Sequence, residues 1–404
     1  MMRSEFLDMS KITKSKHIHR LFDAIEGHGG TIRFVGGAVR DTLVGLSGFD
    51  LDLATDLSPD ELVEACQDNY LKTIPIGLKM GTVGVLLGEN IVEVSSLKRF
   101  IVDDNNKVSV EFTDDWGADA AQRDLTINAV YADLKGNVFD YYDGIKDLED
   151  GRIRFIGDAH ERIKEDPLRI LRFFRFYSMF GKKKIDNNAL EACIELKDLL
   201  RDVAIERVRD ELFKLLITPN AAKVIKIIYD NEILAYFFPK SDNLDALQRL
   251  TEIVISANYK GDFLRRLFVL YQPNSVQAES IANILRFTKK QKETFINWAK
   301  INLMPENMAT SFERRKFIYK YGKQFCIDKI LLTVAIYNTD TSRLNEVLKE
   351  VENAIVPIFP IRGRDIINKG IDANHKVGII LNLLEQQWID SNFTLTRDEL
   401  LSSI

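Results

Sequence analysis

The most constraining part of the chain is a glycine turn near its N-terminus, followed by two closely spaced aspartates. An apolar run within residues 33–41 enters a turn at Gly36 and Gly37, and an Arg-Asp pair opens the next element. Asp50 and Asp52 follow, and residues i and i+2 of a strand point the same way, so the two carboxylates should converge on one face. The segment therefore predicts a turn that a ligand can approach closely, beside a pair of carboxylates.

This arrangement suits a phosphate group and a hard cation. Two glycines let backbone N–H groups approach a triphosphate without a Cβ in the way, and Arg40 can add charge-assisted hydrogen bonds to phosphate oxygens. Carboxylates spaced like Asp50 and Asp52 suit Mg²⁺ held jointly by protein and substrate phosphates. A lone glycine pair is usually only a turn, and a lone Asp-x-Asp is usually a solvated loop. Together, in this order, they favour a phosphate and metal site.

A second informative pair is Asp166 and Arg169, separated by Pro167 and Leu168. Positions three apart share one face of a helix, and proline is tolerated in a first turn. A carboxylate acceptor beside a guanidinium donor matches a base edge that offers an amino group next to a ring nitrogen. C and A present that order, whereas G and U reverse it, so the pair would admit CTP and ATP. The alternative is an ordinary salt bridge on a helix surface.

These motifs resemble the nucleotidyltransferase head of the DNA polymerase beta superfamily. More narrowly, they resemble the class II tRNA nucleotidyltransferase and bacterial poly(A) polymerase family, in which the motif matching Asp166 and Arg169 is the amino-acid template for CTP and ATP. The resemblance implies that Asp50 and Asp52 are the catalytic carboxylates and hold two Mg²⁺ ions. One ion would activate the 3′-hydroxyl of tRNA, and the other would bind the triphosphate.

Residues 119–129 resemble the second motif of that family, which normally contains two consecutive arginines before the aspartate. The resemblance implies that Arg123, Asp124 and Asn128 bind the nucleotide around its ribose. Gln122 stands where the first arginine is normally found, so the contacts of that arginine are not carried over. The alternative is a charged helix N-terminus with Asn128 facing solvent. The nucleotide-binding residues implied by the motifs together are Gly36, Gly37, Arg40, Arg123, Asp124, Asn128, Asp166, Arg169 and Arg172.

Apolar runs at residues 81–87 and 91–99 predict two strands of the same sheet. Glu93 occupies a position where the superfamily often carries a third acidic residue, and it is a candidate catalytic carboxylate. An outward-facing strand glutamate is the alternative. Residues 98–111 form a polar, turn-rich connection that resembles the flexible loop of the family. Its full length favours addition of the complete CCA sequence, whereas enzymes that add only CC have a shorter loop.

Two further segments resemble motifs that position the site. Residues 139–158 resemble the third motif, which joins head to neck, and we interpret them as a hinge or as a simple turn. Glu206, Arg207 and Glu211 resemble the fifth motif. They are expected to brace helices around the selecting pair, or to lie on a helix surface.

The periodicity changes along the chain from short strands mixed with helices to almost uninterrupted helix. We therefore predict an α+β protein with a small mixed-sheet nucleotidyltransferase head followed by all-helical neck, body and tail. The predicted domains are the catalytic head at 1–145, the neck with the nucleotide-selecting motif at 146–220, the body at 221–325 and the tRNA-binding tail at 326–404. The tail resembles that of alphaproteobacterial members.

The formal net charge of −5 is unusual for a protein that binds nucleic acid, because phosphate contacts need cations. Cations are nevertheless crowded in the C-terminal half, interleaved with aromatics, and this pattern predicts a surface for the acceptor and TΨC arms of tRNA. The aromatics are also explained by a helical core. The cations are Arg265, Arg266, Arg286, Lys289, Lys290, Lys292, Lys300, Arg314, Arg315, Lys316, Lys320 and Lys323.

The composition gives no indication of a membrane span or of a cysteine metal site. The 404 residues of the chain are 46% hydrophobic, no apolar run approaches the roughly 20 residues of a membrane span, and no signal-like segment opens it. A cytoplasmic location is therefore expected, and no membrane or protein partner is evident. Three distant cysteines lack metal-ligand spacing.

The sequence thus predicts an enzyme that adds CCA to the 3′ end of tRNA without a nucleic-acid template, using CTP, ATP and Mg²⁺. Three alternatives remain: an enzyme that adds only CC, a bacterial poly(A) polymerase, and a non-catalytic RNA-binding module.

Overall fold

The computed structural model describes residues 7–9, 14–46, 51–102, 108–301 and 310–404. The chain divides into two compact units. The first comprises Met1–Thr218 with Ile227–Pro239, and the second comprises Pro219–Lys226 with Lys240–Ile404. Asp50 lies outside the described residues, as do Asn105 and Asn106 of the predicted loop.

The first unit contains a mixed sheet of seven strands. Its spatial order is β3-β4-β5-β2-β1-β8-β9, and only the β2–β5 pair is parallel. A separate pair, β6 and β7, is antiparallel. The strands are β1 Ile32–Val35, β2 Asp52–Thr55, β3 Lys72–Gly77, β4 Thr82–Leu87, β5 Asn90–Ser96, β6 Lys98–Val102, β7 Val108–Phe112, β8 Val130–Ala132 and β9 Val138–Asp140.

Short helices accompany this sheet. They are α1 Lys16–Gly27, α2 Gly37–Leu43, α3 Pro59–Asp68, α4 Trp116–Ala121 and α5 Gly144–Asp150. The apolar stripe of α1 packs on the sheet: Phe22 lies 5.1 Å from Phe34 of β1, ring centroid to ring centroid, and both are fully buried. A 3-10 turn at Thr126–Asn128 contacts α5 just before β8. This turn holds part of the second motif.

The first unit continues as helices α6 Ala159–Glu165, α7 Arg169–Phe180, α8 Asn187–Glu195 and α9 Ile205–Leu216, and α10 Ala221–Asp230 contains the division between the units. Phenylalanines dominate the buried face of α7, where Phe173 stacks on Phe155 at 5.5 Å and Phe174 is fully buried. The same helix packs against α9. Its opposite side carries arginines, so one amphipathic helix supplies both core and charge.

The second unit is helical throughout its described residues. Its helices are α11 Leu244–Ser256, α12 Phe263–Tyr271, α13 Ser275–Ile284, α14 Lys289–Lys300, α15 Ser311–Tyr321, α16 Lys323–Tyr337, α17 Leu344–Asn353, α18 Gly363–Ile367, α19 His375–Asp390 and α20 Arg397–Ser402. A local core around Trp388, Ile366 and Leu400 joins the last three helices. No described helix combines the length and the apolar character needed to cross a bilayer.

The predicted α+β class is confirmed, as are the strands at 81–87 and 91–99, which correspond to β4 and β5. The interpretation of residues 98–111 as a turn-rich connection is wrong for its two ends. Phe100 of β6 pairs with Val110 of β7 in a regular antiparallel ladder. Apolar residues alternate with polar ones in β7, and β6 ends in the apolar run 100–102, so both segments can form strands despite the polar composition of the whole connection.

The predicted cationic surface of the C-terminal half contains fewer cations than expected. Arg265, Arg266 and Arg314 are buried. Arg265 donates to Asp328 at 2.7 Å, and Arg314 forms an ion pair with Glu350, so both support helix packing. The cations that are exposed are Arg286, Lys289, Lys290, Lys300, Arg315 and Lys320. Burial depends on partners distant in sequence, which composition does not reveal.

Replacing Gly144 by Ala should destabilise the first unit. A Cβ at this first residue of α5 would collide with the main-chain oxygen of Thr126 and lie 2.8 Å from Val130 Cγ2. We expect a loss of about 1–3 kcal/mol, typical of overpacking. Gly27→Ala is the matched control, because nothing lies within 4 Å of its Cβ position and alanine favours helix. Thermal unfolding of both variants tests this, and equal midpoints would contradict the close packing.

Candidate active site

The predicted glycine turn lies between β1 and α2. Gly36 has a φ of 63°, in the left-handed region that favours glycine, and Gly37 is the first residue of α2. A Cβ on Gly36 would stand 3.7 Å from the main-chain oxygen of Asn128 and 3.8 Å from Arg123 Nη1. The turn therefore brings the first motif against the second.

Asp124 is the centre of a buried polar network that joins three segments. Its Oδ2 accepts a hydrogen bond from Arg172 Nε at 2.6 Å, and its Oδ1 accepts from Asn128 Nδ2 at 2.9 Å and from the Leu125 main chain at 2.9 Å. Asn128 Oδ1 in turn accepts from Arg40 Nη1. The alternative in which Asn128 faces solvent is therefore wrong, because its side chain bridges two buried groups.

The network keeps Asp124 ionised. Burial raises the pKa of Asp124, but the ion pair with Arg172 and the hydrogen bond from Asn128 outweigh burial and hold the pKa at about 2. Arg40 is 6% exposed and also forms an ion pair with Asp41 at 2.7 Å. Burial lowers the pKa of Arg40 from its ordinary value, against the opposing effect of Asp41. Both guanidinium groups are thus fixed by carboxylates.

Arg123 belongs to a second network. Its Nε donates to the Tyr131 hydroxyl at 3.1 Å and its Nη2 to Asp119 Oδ2 at 3.2 Å, while Tyr131 also donates to Asp119 at 2.7 Å. Burial alone would lower the pKa of Arg123, but Tyr131 and Asp119 outweigh it and raise the pKa. The three groups hold the Arg123 side chain in one orientation beside Gly36.

The selecting pair lies at a break between helices rather than on one helical face, so that part of the prediction is wrong. Asp166 follows the end of α6 with extended backbone, φ −150° and ψ 101°, and Arg169 is the first residue of α7. Pro167 explains the break, because the residue before proline is disfavoured in the helical region. Both side chains nevertheless line one cavity.

Each member of the pair already has protein partners. Asp166 Oδ2 accepts from Arg207 Nη2 at 2.8 Å. Arg169 donates from Nη1 to the Arg162 carbonyl at 2.9 Å and to Glu165, and from Nη2 to the Gln122 carbonyl at 3.0 Å. An arginine has five N–H groups, so Arg169 keeps its Nε–H and one Nη2–H without a partner in the described part of the chain.

A cavity of about 580 Å³ collects nearly all of these groups. Its described lining carries six arginines against four aspartates, a balance that favours an anion. The lining residues are Gly36, Gly37, Arg40, Asp41, Asp52, Gln122, Arg123, Asp124, Asn128, Asp166, Leu168, Arg169, Arg172, Arg175, Phe176 and Arg207. The predicted nucleotide-binding residues, which come from three separate segments, thus face one space.

The other two predicted carboxylates are Asp50 and Glu93. Asp50 is outside the described residues. Glu93 does not line the cavity, but β5 places it in register with Asp52 of the parallel strand β2. Asp52 is exposed at the start of its strand. Among the residues that the structure describes, no three His, Cys, Asp or Glu side chains are grouped as metal ligands.

Arg175, Phe176 and Arg207 also line the cavity, although the sequence motifs predict no nucleotide contact for them. Arg175 lies beside Glu211 with Nε to Oε1 at 2.5 Å, and its guanidinium lies 4.2 Å from the Phe176 ring centroid. Arg40 also lies over this ring, at 4.7 Å. Arg175 continues the three-residue spacing of Arg169 and Arg172, so the sequence itself indicates that Arg175 shares a helix face with them. The fifth motif predicts that Arg207 braces helices around the selecting pair, and Arg207 contacts Asp166 of that pair.

Two family models match parts of this chain. The Poly A polymerase head domain matches residues 32–154, and the model described as probable RNA and SrmB- binding site of polymerase A matches residues 184–244. The CCA tRNA nucleotidyltransferase 1, mitochondrial, of Homo sapiens is 32% identical over 389 residues, which cover 92% of this chain and 86% of the relative. The chain belongs to the CCA-adding nucleotidyltransferase and poly(A) polymerase family. It is an enzyme of this class.

Other members of the CCA-adding family agree in extent and fold. The CCA-adding enzyme of Lactococcus lactis subsp. cremoris is 27% identical over 400 residues, covering 95% of this chain and 94% of the relative. The Bacillus stearothermophilus CCA-adding enzyme, solved in complex with CTP, superposes with a TM-score of 0.74 at 22% identity, covering 96% of this chain and 97% of that one. The Thermotoga maritima CCA-adding enzyme complexed with tRNA gives a TM-score of 0.65 at 20% identity, covering 100% and 98%.

Replacing Asp124 by Asn should remove a pH-dependent part of the stability. The folded pKa of about 2 lies below the ordinary 3.8, so the carboxylate stabilises the fold above about pH 4 and loses this contribution as the pH falls toward 2. The contribution is about 2 kcal/mol at neutral pH and about half of that at pH 3. Urea unfolding of wild type and Asp124→Asn at pH 6 and pH 3 measures it. A difference between the two proteins that is the same at both pH values would contradict the ion pair.

Proposed function

We propose that this enzyme adds C, C and A in turn to the 3′ end of tRNA, using CTP and ATP and no nucleic-acid template. The observation that carries the proposal is the shared cavity, in which the glycine turn, Asp52 and the Asp166–Arg169 pair face one space. A nucleoside triphosphate placed there would have cations near its phosphates and an acceptor and donor near its base. The human and Lactococcus lactis relatives carry the names of CCA-adding enzymes.

Base selection is assigned to Asp166 and Arg169. The carboxylate of Asp166 keeps lone pairs after its bond from Arg207, and the guanidinium of Arg169 keeps two N–H groups. The amino group of C or A would donate to Asp166, and the adjacent ring nitrogen would accept from Arg169. G and U would place acceptor against acceptor and donor against donor, which leaves buried polar groups unpaired.

Triphosphate binding is assigned to the glycine turn and the arginines of α2 and α7. Arg40, Arg172 and Arg175 are anchored by carboxylates or an amide on one side, and their remaining N–H groups can meet phosphate oxygens. Prior anchoring lowers the cost of orienting them when substrate binds. The 3′-hydroxyl of tRNA would then attack the α-phosphate, and pyrophosphate would leave.

The family implies use of a divalent metal, and the available donors fit Mg²⁺. Asp52 offers exposed carboxylate oxygens in the cavity lining, and Mg²⁺ prefers one or two carboxylates completed by phosphates and water. Asp52 and Asp50 would hold the two ions, with Glu93 a candidate third ligand on the neighbouring strand. When bound, the metal lowers the pKa of the attacking hydroxyl and neutralises charge on the phosphates.

The exposed cations of the second unit are proposed to contact the backbone of the tRNA acceptor and TΨC arms. Arg286, Lys289 and Lys290 lie together at the start of α14, with Arg315 and Lys320 on α15. Contacts of this kind recognise duplex RNA by shape and charge rather than by sequence. A cytoplasmic location remains a prediction.

The test is incorporation by the purified full-length protein with Mg²⁺ and each NTP. Three matched tRNAs ending before CCA, after the first C and after CC are read at single-nucleotide resolution. Addition of C, C and A followed by arrest is the expected result. Arrest after CC would identify a CC-adding enzyme, and long A tails would identify a poly(A) polymerase. No incorporation would favour a non-catalytic RNA-binding module.

Asp52→Asn should lower nucleotide transfer by about a hundredfold or more, because several kcal/mol of charge stabilisation depend on the metal carboxylates. Glu61→Gln is a suitable control, since Glu61 only caps α3 at Ser58. Both rates are measured in single-turnover assays with CTP. If Asp52→Asn transferred nucleotides at the wild-type rate, the proposed metal site would be contradicted. This conclusion does not depend on which bases the protein prefers.

Asp166→Asn should weaken the preference for CTP over UTP by about tenfold or more, because an amide can donate as well as accept. The measurement is the ratio of kcat/KM for the two nucleotides on tRNA ending before CCA. Arg207→Met is the companion variant. It removes the hydrogen bond from Arg207 that orients Asp166 but keeps the Asp166 carboxylate, so its preference for CTP should lie between those of wild type and Asp166→Asn. Unchanged preference in both variants would contradict the assignment of base selection.

A further inference from the structure

The second unit contains its own cavity, of about 180 Å³, among α12, α14 and α16. Its described lining combines apolar side chains, among them Phe268, Leu332 and Ile336, with the polar groups of four side chains, Gln272, Lys329, Thr333 and Tyr337. A cavity near this size holds a molecule of about six to ten non-hydrogen atoms. None of the motifs assigned to nucleotide transfer contributes to it.

Lys329 is the one charged residue in the described lining of this cavity, and it has no counterion in the described chain. Its side chain is 6% exposed. Nζ donates to the main-chain oxygen of Trp298 at 3.0 Å and lies 5.8 Å from the Phe268 ring centroid. The neighbouring Asp328 is engaged by Arg265 at 2.7 Å. Burial lowers the pKa of Lys329 to about 8, so the ammonium form persists at neutral pH.

The side chain of Trp298 is a second buried donor near this cavity. It also lines the cavity, is 2% exposed, and its Nε1–H has no hydrogen-bond acceptor in the described structure. A buried donor without an acceptor is unfavourable, and a buried ammonium without an anion is more so. The buried ammonium of Lys329 is therefore the group that an acceptor with negative charge would satisfy.

We propose that this cavity binds a small monocarboxylate with an apolar body, whose carboxylate pairs with Lys329. The aromatic and aliphatic walls would cover the apolar body, and the carboxylate would supply the missing anion. A phosphate group fits less well, because its higher charge and hydration call for more cations than the single lysine of the described lining. The site lies outside the nucleotide-binding machinery and is independent of the proposed transfer reaction.

The test is a ¹⁹F NMR titration of the full-length protein with 4-fluorobenzoate, with 4-fluorobenzyl alcohol as the neutral probe of similar shape. The acid should bind saturably, and the alcohol should bind about tenfold or more weakly. No saturable binding of the acid, or equal binding of acid and alcohol, would overturn the proposal. This comparison uses only the wild-type chain, so it does not depend on a variant that folds.

Lys329→Met localises the binding. Methionine fills a similar volume without charge, so the variant should unfold at the same temperature or higher, and its Kd for 4-fluorobenzoate should rise about tenfold or more. Lys290→Met, at an exposed position of α14, is the matched control and should keep the wild-type Kd. Equal affinity in wild type and Lys329→Met would show that the acid binds elsewhere, for example at the arginines of the first unit, and would overturn the proposal.

Discussion

The Asp124 carboxylate is the group on which the active-site architecture depends. Four donors converge on or near it: Arg172 from α7, the Asn128 amide and the Leu125 main chain from the second motif, and, through Asn128, Arg40 from α2. Without the carboxylate, Arg172 would lose its ion-pair partner, and Asn128, which accepts from Arg40, would lose one of its own anchors. One acidic side chain thus ties the glycine turn to the helix that follows the selecting pair.

The cations of the cavity are held in place before any substrate arrives. Arg175 lies beside Glu211, Arg123 lies between Asp119 and Tyr131, and Arg207 donates to Asp166. Each pair costs desolvation, which its Coulomb attraction must offset. The cations of the site are thus oriented by protein partners, so developing charge on a phosphate can be stabilised with little reorientation of these side chains.

Local sequence patterns predicted the α+β class, the glycine turn and the strands β4 and β5, because these depend on spacing along the chain. They did not predict which charges are buried. Arg265 and Arg314 resemble surface cations in sequence, but their partners lie 63 and 36 residues away. The break at Asp166 follows from Pro167, because proline disfavours the helical region for the residue before it. Contacts such as Arg207 with Asp166 join segments 41 residues apart and follow only from the fold.

The end of α4 is joined to helices α6 and α7 through main-chain acceptors. Arg162 donates to the Ala121 carbonyl and Arg169 donates to the Gln122 carbonyl, each at 3.0 Å. Both acceptors are main-chain atoms, so the contact does not depend on the side chain at position 122. A glutamine can therefore replace the usual arginine there without uncoupling the two segments. The side chain at position 122 can therefore change its substrate contacts while these two hydrogen bonds to the main chain remain.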